Sequence, residues 1–302
     1  MAEHHHLRRL TRLVRERSPH ALVMWLRAGI ELWGSLTSPL RMRPSFIIVG
    51  AQRAGTTTLY RVLSEHPEVA RPTVSKGIGY FDVKYARGPR WYRGHFPLAW
   101  RARRKHGPGA ATFESSGYYV FHPLAAERIA RDLPEVRVVL LVRDPVERAY
   151  SAYKHELARG FETESFEVAL GLEEERLAGE VERMVADPGY QSFHHRHHGY
   201  LARGRYIEQL ERLVKALGED RVYVVDAGAF FENPGAEFER LRSWLGLAWW
   251  RPGKVEQWNA RPSSPMPPEL EQRLRAHFEP YDARLADHMG RTPSWRASAR
   301  QD

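Results

Sequence analysis

Apolar residues along this chain fall into two rhythms. Short runs at Phe46–Val49, Val136–Val142 and Arg221–Asp226 are rich in Val, Ile and Leu and end in polar or turn residues. Strands covered on both faces have this pattern. The run 136–142 is the clearest; it stops at Arg143-Asp144-Pro145, and Pro145 suits the first turn of a helix running through Tyr153. Longer stretches repeat their apolar residues at helical spacing: from Thr58 onward, over Ala125–Leu133, over Tyr200–Leu217, and in a closing pair at Glu237–Leu245 and Glu269–Met289. Phe166–Ala186 is helical but highly charged and reads as a solvated face or part of a substrate lid. Glu68–Ala70 and Tyr80-Phe81 are short apolar pieces, and Arg101–Ala111 reads as a polar loop containing Gly and Pro. Strands alternating with helices predict an α/β fold, a central parallel β-sheet with helices on both faces. Ligands on such sheets bind at the C-terminal ends of the strands.

The first 44 residues behave differently and form a separate N-terminal basic and amphipathic helical segment. Residues 7–36 read as basic helical turns followed by an amphipathic helix carrying Trp25 and Trp33. The stretch Ala21–Leu36 is too short, and with Arg27 and Glu31 too charged, for a transmembrane span. Such a helix caps the core or lies in a membrane interface, so peripheral membrane contact stays open. No signal-peptide pattern opens the chain, and the expectation is a cytoplasmic protein.

At 302 residues the chain can hold one large α/β domain or two small ones, and no low-complexity linker divides it. Lys and Arg number 46 against 37 Asp and Glu, a net charge of +9 that favours anionic partners. With no cysteine, disulfides, thiolate metal sites and a cysteine nucleophile are excluded.

Candidate chemistry starts where the first strand ends. Gly50-Ala-Gln-Arg-Ala-Gly-Thr-Thr57 is a glycine loop between a buried strand and a helix start. Glycines allow the turn and close approach of the backbone, while free N–H groups and the helix dipole attract a phosphate. Its G-x4-G spacing matches the ATP-type loop, but Thr56 stands where that loop needs Lys, and Arg53 is the only cation within it. A second anion site follows the strand 136–142: Arg143 at the strand end and Ser151 two turns into the next helix can together grip a phosphate monoester. Two such sites suggest a nucleotide phosphorylated at two places. Asp144 is most simply a helix cap, and no convincing Mg²⁺-holding Asp follows a strand as an ATPase would need.

In that order these motifs resemble the sulfotransferases that use 3′-phosphoadenosine 5′-phosphosulfate (PAPS). The loop at Gly50 is similar to their 5′-phosphosulfate loop, and Arg143-Asp-Pro-x-Glu-Arg-x-x-Ser151-x-Tyr to their 3′-phosphate motif. The likeness continues through Lys76-Gly-Ile-Gly-Tyr-Phe-Asp82, Gly88-Pro-Arg-Trp91-Tyr92 with Phe96-Pro97, and Glu114-Ser-Ser-Gly-Tyr-Tyr. It ends with Tyr200-x3-Gly204-Arg-Tyr206-x3-Leu210 and Phe231-x-Asn-Pro234, an order resembling the heparan-sulfate N- and O-sulfotransferase branch over about residues 45–290. The resemblance implies a sulfotransferase domain over 45–302, of P-loop-like three-layer fold, with PAPS as donor and no metal. It assigns Gly50, Gln52, Arg53, Ala54, Gly55, Thr56 and Thr57 to the 5′-phosphosulfate, and Arg143 and Ser151 to the 3′-phosphate. Arg53 stands where the family usually has Lys, keeping the charge and changing its geometry. Arg261, in the late Pro-rich loop, is expected to touch the 3′-phosphate end.

Three chemically active family positions differ. The family's catalytic Glu falls on Gly77, a neighbouring substrate-site His on Gly79, and a Lys after Glu114 on Ser115. The expectation is therefore that Glu114 or His122 supplies the base, with Lys76 stabilising the leaving group and Arg53 beside it. The cluster His194-His195-Arg196-His197-His198 has no metal-ligand spacing and is expected at the mouth of the acceptor groove or on plain surface. The function expected is metal-independent in-line sulfuryl transfer to a hydroxyl or amine of a carbohydrate, glycolipid or small-molecule metabolite, with no nucleic-acid partner. The alternatives are a non-catalytic nucleotide-binding relative, prompted by Gly77 and Gly79, and a P-loop kinase.

Overall fold

In a computed structural model the chain is described over residues 20–73, 75–253 and 266–297. Five parallel strands form the sheet: β1 Phe46–Gly50, β2 Val69–Ala70, β3 Ala111–Ser115, β4 Arg137–Val142 and β5 Val222–Asp226, in the order β2-β3-β1-β4-β5. The central β1 is buried along its whole length, and Ile47 lies opposite Glu114 on one side and Val138 on the other. Both motif-bearing strands are thus neighbours, and their C-terminal ends open on the same rim.

The helices are α1 His20–Leu36, α2 Thr56–Glu65, α3 Gly88–Arg93, α4 Ala99–His106, α5 Ala125–Asp132, α6 Pro145–Leu157, α7 Phe166–Gly171, α8 Glu173–Leu177, α9 Glu180–Ala186, α10 Phe193–His197, α11 Tyr206–Leu217, α12 Ala227–Glu232, α13 Pro234–Leu245, α14 Pro268–Met289 and α15 Ser294–Ala297. They surround the sheet and seal a core of Ile, Val, Leu and Phe side chains. Local chemistry accounts for the start of α6: Pro145 takes the first position, and the Asp144 carboxylate accepts from the Val146 N–H at 2.8 Å and the Glu147 N–H at 3.3 Å. Asp144 is the cap its sequence context indicates.

Two segments differ from the sequence reading. Arg101–Ala111 is not a loop; its first half completes α4, which ends at Gly107 in a positive-φ turn. Phe166–Ala186 is helical, but as three short helices, the last set off by left-handed Gly179. The middle of it is tied inward. Buried Glu173 accepts from the N–H groups of Tyr200, Leu201 and Ala202 at 2.9, 2.7 and 2.7 Å. A carboxylate capping three successive amides explains why a charge-rich stretch holds a buried acid.

Candidate functional site

The glycine loop occupies the rim where β1 gives way to α2. Gly55 caps α2 at φ +95°, and a Cβ there would sit 3.3 Å from the Phe231 ring, so the position accepts only glycine without strain. Arg53 also takes a left-handed backbone (φ 72°). Its side chain turns toward β4's helix, where its Nε donates to Ser151 Oγ at 3.0 Å. The two motifs, 98 residues apart, therefore meet through one hydrogen bond. Arg143 leaves the end of β4 and pairs with Glu147 one turn into α6.

The cation that the loop lacks at Thr56 arrives from another segment. Lys76 Nζ donates to Thr57 Oγ1 at 3.0 Å and Thr56 Oγ1 at 3.3 Å, at the N-terminal turn of α2. Burial, followed by the nearby Arg61 charge, pushes its pKa down to about 8. It is charged at neutral pH and held where a helix dipole also favours an anion.

Lys76 is placed by β3. The Ser115 N–H donates to the Lys76 carbonyl at 2.9 Å, and the Gly79 N–H to Ser116 Oγ at 3.2 Å. Between them, Glu114 accepts from the Ile78 N–H at 3.0 Å, Ser116 Oγ at 2.7 Å and Tyr119 OH at 2.9 Å. Glu114 is fully enclosed, and burial raises its pKa to about 6 against the pull of those donors. Gly77 lies in the same strap. A Cβ there would come within 2.7 Å of the Ser115 carbonyl, so backbone fills the space a side chain at 77 would enter.

A separate cleft is lined by Asp82, Tyr118, His122, Gln191 and Arg196 among others. Arg203 links the cleft to the loop: its guanidinium lies 5.0 Å from the Tyr118 ring and donates to the Gln52 side chain. Arg203 is 5% exposed and also donates to the carbonyls of His195 at 2.9 Å and Arg196 at 2.6 Å. Burial lowers its pKa to about 10, which leaves it protonated at neutral pH. Nothing in Leu201-Ala-Arg-Gly-Arg205 marks Arg203 out from Arg205 in sequence; only the fold does so.

The cleft's titratable groups differ in kind. His122 is pushed down to about 3 by burial and then by Arg128 and Arg212, and its Nδ1 accepts from the Leu124 N–H at 3.2 Å. It is a neutral imidazole whose Nε2 carries the proton. Asp82 has its pKa raised, chiefly by burial, against the Val83 N–H, Arg196 and Lys84. Ala54 packs beneath the loop with no exposure. Arg261 lies outside the described residues.

The histidine cluster is built into the wall behind Tyr118. His195 Nδ1 meets Tyr118 OH at 2.7 Å, His197 Nδ1 meets Glu156 at 2.9 Å, and His198 Nε2 meets the Phe161 carbonyl at 2.8 Å. Among the described residues no group of three or more His, Asp or Glu side chains is arranged to hold a metal ion.

A multiply charged anion fits this floor: one ammonium, guanidinium groups and a helix N-terminus converge on the loop. The sulfotransferase domain family matches residues 43–259. The human bifunctional heparan sulfate N-deacetylase/N-sulfotransferase 2 is 28% identical over 227 residues, covering 72% of this chain and 23% of that protein. The chain thus spans about a quarter of the length of these bifunctional relatives. Mouse heparan sulfate glucosamine 3-O-sulfotransferase 5 is 24% identical over 280 residues, 83% of this chain and 74% of its own length. The crystal structure of a sulfotransferase from Alicyclobacillus acidocaldarius superposes with a TM-score of 0.61 at 29% identity, over 83% of this chain and 97% of that one.

Proposed function

The chain belongs to the sulfotransferase domain family, and from that premise we propose that it moves a sulfuryl group from PAPS to a hydroxyl or amine of a carbohydrate, glycolipid or small-metabolite acceptor. The observation that carries this reading is Lys76 seated on Thr56 and Thr57 beside an Arg53–Ser151 contact. One arm of the site suits a phosphosulfate, and the other suits a separate phosphate monoester.

In the proposed reaction the acceptor oxygen or nitrogen attacks sulfur while the bond from sulfur to the phosphate oxygen breaks. Negative charge grows on that leaving oxygen. In this reading the Lys76 ammonium, which donates to the Thr56 and Thr57 hydroxyls, and the first amides of α2 would stabilise it. Arg53, Arg143 and Ser151 would hold the 3′-phosphate, so that Arg53 serves the boundary between the two phosphate sites.

The acceptor enters the cleft beside Tyr118 in this reading. Glu114 and His122 suit other tasks than proton abstraction. Glu114 has no exposure, and its oxygens are taken up by the Ile78 N–H of the Lys76–Gly79 strap and by Ser116 and Tyr119, so we assign it the positioning of Lys76. A neutral His122 of such low basicity donates from Nε2 to the acceptor. Asp82 is the carboxylate that lines the cleft, and we assign it the acceptor proton. The test is a transfer assay with sulfur-labelled PAPS in EDTA over a panel of amino sugars, oligosaccharides, glycolipids and phenols. Labelled product with Lys76→Ala inactive supports the reading. Turnover only with added Mg²⁺ and ATP, and none with PAPS, overturns it.

A further inference from the structure

Among the described residues of helix α1, Glu31 and Gly34 hold it to the rest of the protein along one edge. Glu31 receives Arg87 and the Trp91 indole N–H, the latter at 3.0 Å. Three residues on, Gly34 faces Gly94 so closely that a Cβ would come within 2.8 Å of the Gly94 carbonyl. That edge is committed to α3. On the other side of the helix, Trp25, Leu26, Ile30, Trp33 and Leu36 recur at helical spacing and are all more than half exposed. Because the inner edge is locked, this apolar face cannot rotate into the core.

Two further exposed apolar side chains lie on elements that follow α1 or pair with the chain after it. An isolated bridge between Arg41 and Leu98 brings the chain after α1 beside the start of α4, and the residues flanking it include exposed Leu40 (63%) and Trp100 (56%). Beyond Trp100 the same helix exposes Arg101, Arg103, Arg104 and Lys105, with Arg43 exposed near the bridge. The 19 residues preceding α1 add Arg8, Arg9, Arg12, Arg15 and Arg17 against Glu3 and Glu16.

We propose that this face seats the protein on an anionic membrane surface, with Trp25, Trp33 and Trp100 at headgroup depth. Three properties select that occupant. The patch is apolar and carries three indoles, the side chain suited to a boundary that is apolar on one side and wet on the other. On the described side its flank is cationic, with Arg43, Arg101, Arg103, Arg104 and Lys105 exposed, which complements a continuous anionic surface. A second copy of the chain would bring those same cationic flanks together and pay for it in repulsion. Among the described residues no helix is long and apolar enough to cross a bilayer, so the attachment is interfacial. The inference is independent of the identity of donor and acceptor.

The experiment is sedimentation of the full chain with phosphatidylcholine vesicles, with and without phosphatidylglycerol, at low and high salt. Tryptophan emission is followed in parallel. Expected are binding to the phosphatidylglycerol vesicles, a blue shift, and weakening by salt. Replacing the two indoles of α1 (Trp25→Glu with Trp33→Glu) should lower partitioning at least about tenfold. Arg103→Gln with Arg104→Gln should lower it about fivefold per charge. Both variants alter exposed positions, so unchanged thermal unfolding confirms that the fold is intact. No binding to the anionic vesicles, or equal binding by the indole variant, overturns the proposal. So does lipid-free self-association that the indole variant abolishes, which would make the face an interface between copies.

Discussion

Glu114 is the residue whose replacement separates positioning from proton transfer. Replaced by alanine, it strands three buried donors, the Ile78 N–H, Ser116 Oγ and Tyr119 OH. Each unsatisfied donor costs about 1–3 kcal/mol. Part of that is offset, because raising the carboxyl from 4.5 to about 6 means the ionised form costs the native state about 2 kcal/mol. The net loss is about 1–7 kcal/mol, which for a chain of 302 residues lowers Tm by about 2–11 °C. Glutamine keeps the shape and the acceptor for Ile78 and Ser116, and its NH₂ can donate to the Tyr119 oxygen. Glu114→Gln should therefore unfold within about 1 kcal/mol of the parent at neutral pH.

The pH dependence has a defined sign. A raised native pKa favours the folded state fully below about 4.5, and that contribution is lost as pH rises toward and through about 6. The parent should lose about 2 kcal/mol over this window from Glu114 alone, and Glu114→Gln should not. Thermal melts across that range, combined with kcat for sulfuryl transfer, form the assay. A folded Glu114→Gln that retains turnover within a few-fold fits a positioning residue. A fall in kcat of about 10²–10⁴ with the fold intact would make Glu114 the base and refute the assignment.

Other outcomes follow from the same geometry. Because Lys76 loses its charge above about pH 8, kcat/KM for the donor should fall on the alkaline side of that value, and Lys76→Arg should move the limb upward. Asp82→Asn should reduce kcat about 10²-fold or more while donor affinity, measured by calorimetry, stays the same. Restoring the family's acid with Gly77→Glu should not raise activity. Its Cβ would press on the Ser115 carbonyl, and the melt should drop by about 1–3 kcal/mol in equivalent stability.

Much of the scaffold can be read from local pattern. β1, β4 and β5 are continuous apolar runs, and Asp144-Pro145 announces the helix it caps. β3 is harder, since Ala111-Thr-Phe-Glu-Ser115 carries a carboxylate that normally indicates solvent. Here the strap around Lys76 supplies the missing donors. Likewise α4 has a single buried residue, Ala102, so its amphipathic signal is faint and its basic residues mimic a loop. The glycine loop at Gly50–Thr57 and the Arg143–Ser151 segment are visible because each is local. Their contact through Arg53 and Ser151, the delivery of Lys76 to Thr56 and Thr57, and the wedge of Arg203 against Gln52 depend on strand order. Side chains far apart in sequence meet there only because β1 pairs with both β3 and β4.

The central claim is that two anion sites on one rim read a nucleotide phosphorylated at both the 3′ and 5′ positions. Calorimetric titration in EDTA with 3′-phosphoadenosine 5′-phosphate, ADP and ATP tests it most directly. A clear preference for the 3′-phosphorylated nucleotide, abolished by Arg143→Ala, is the predicted result. Equal or tighter ATP binding that requires Mg²⁺ would contradict it.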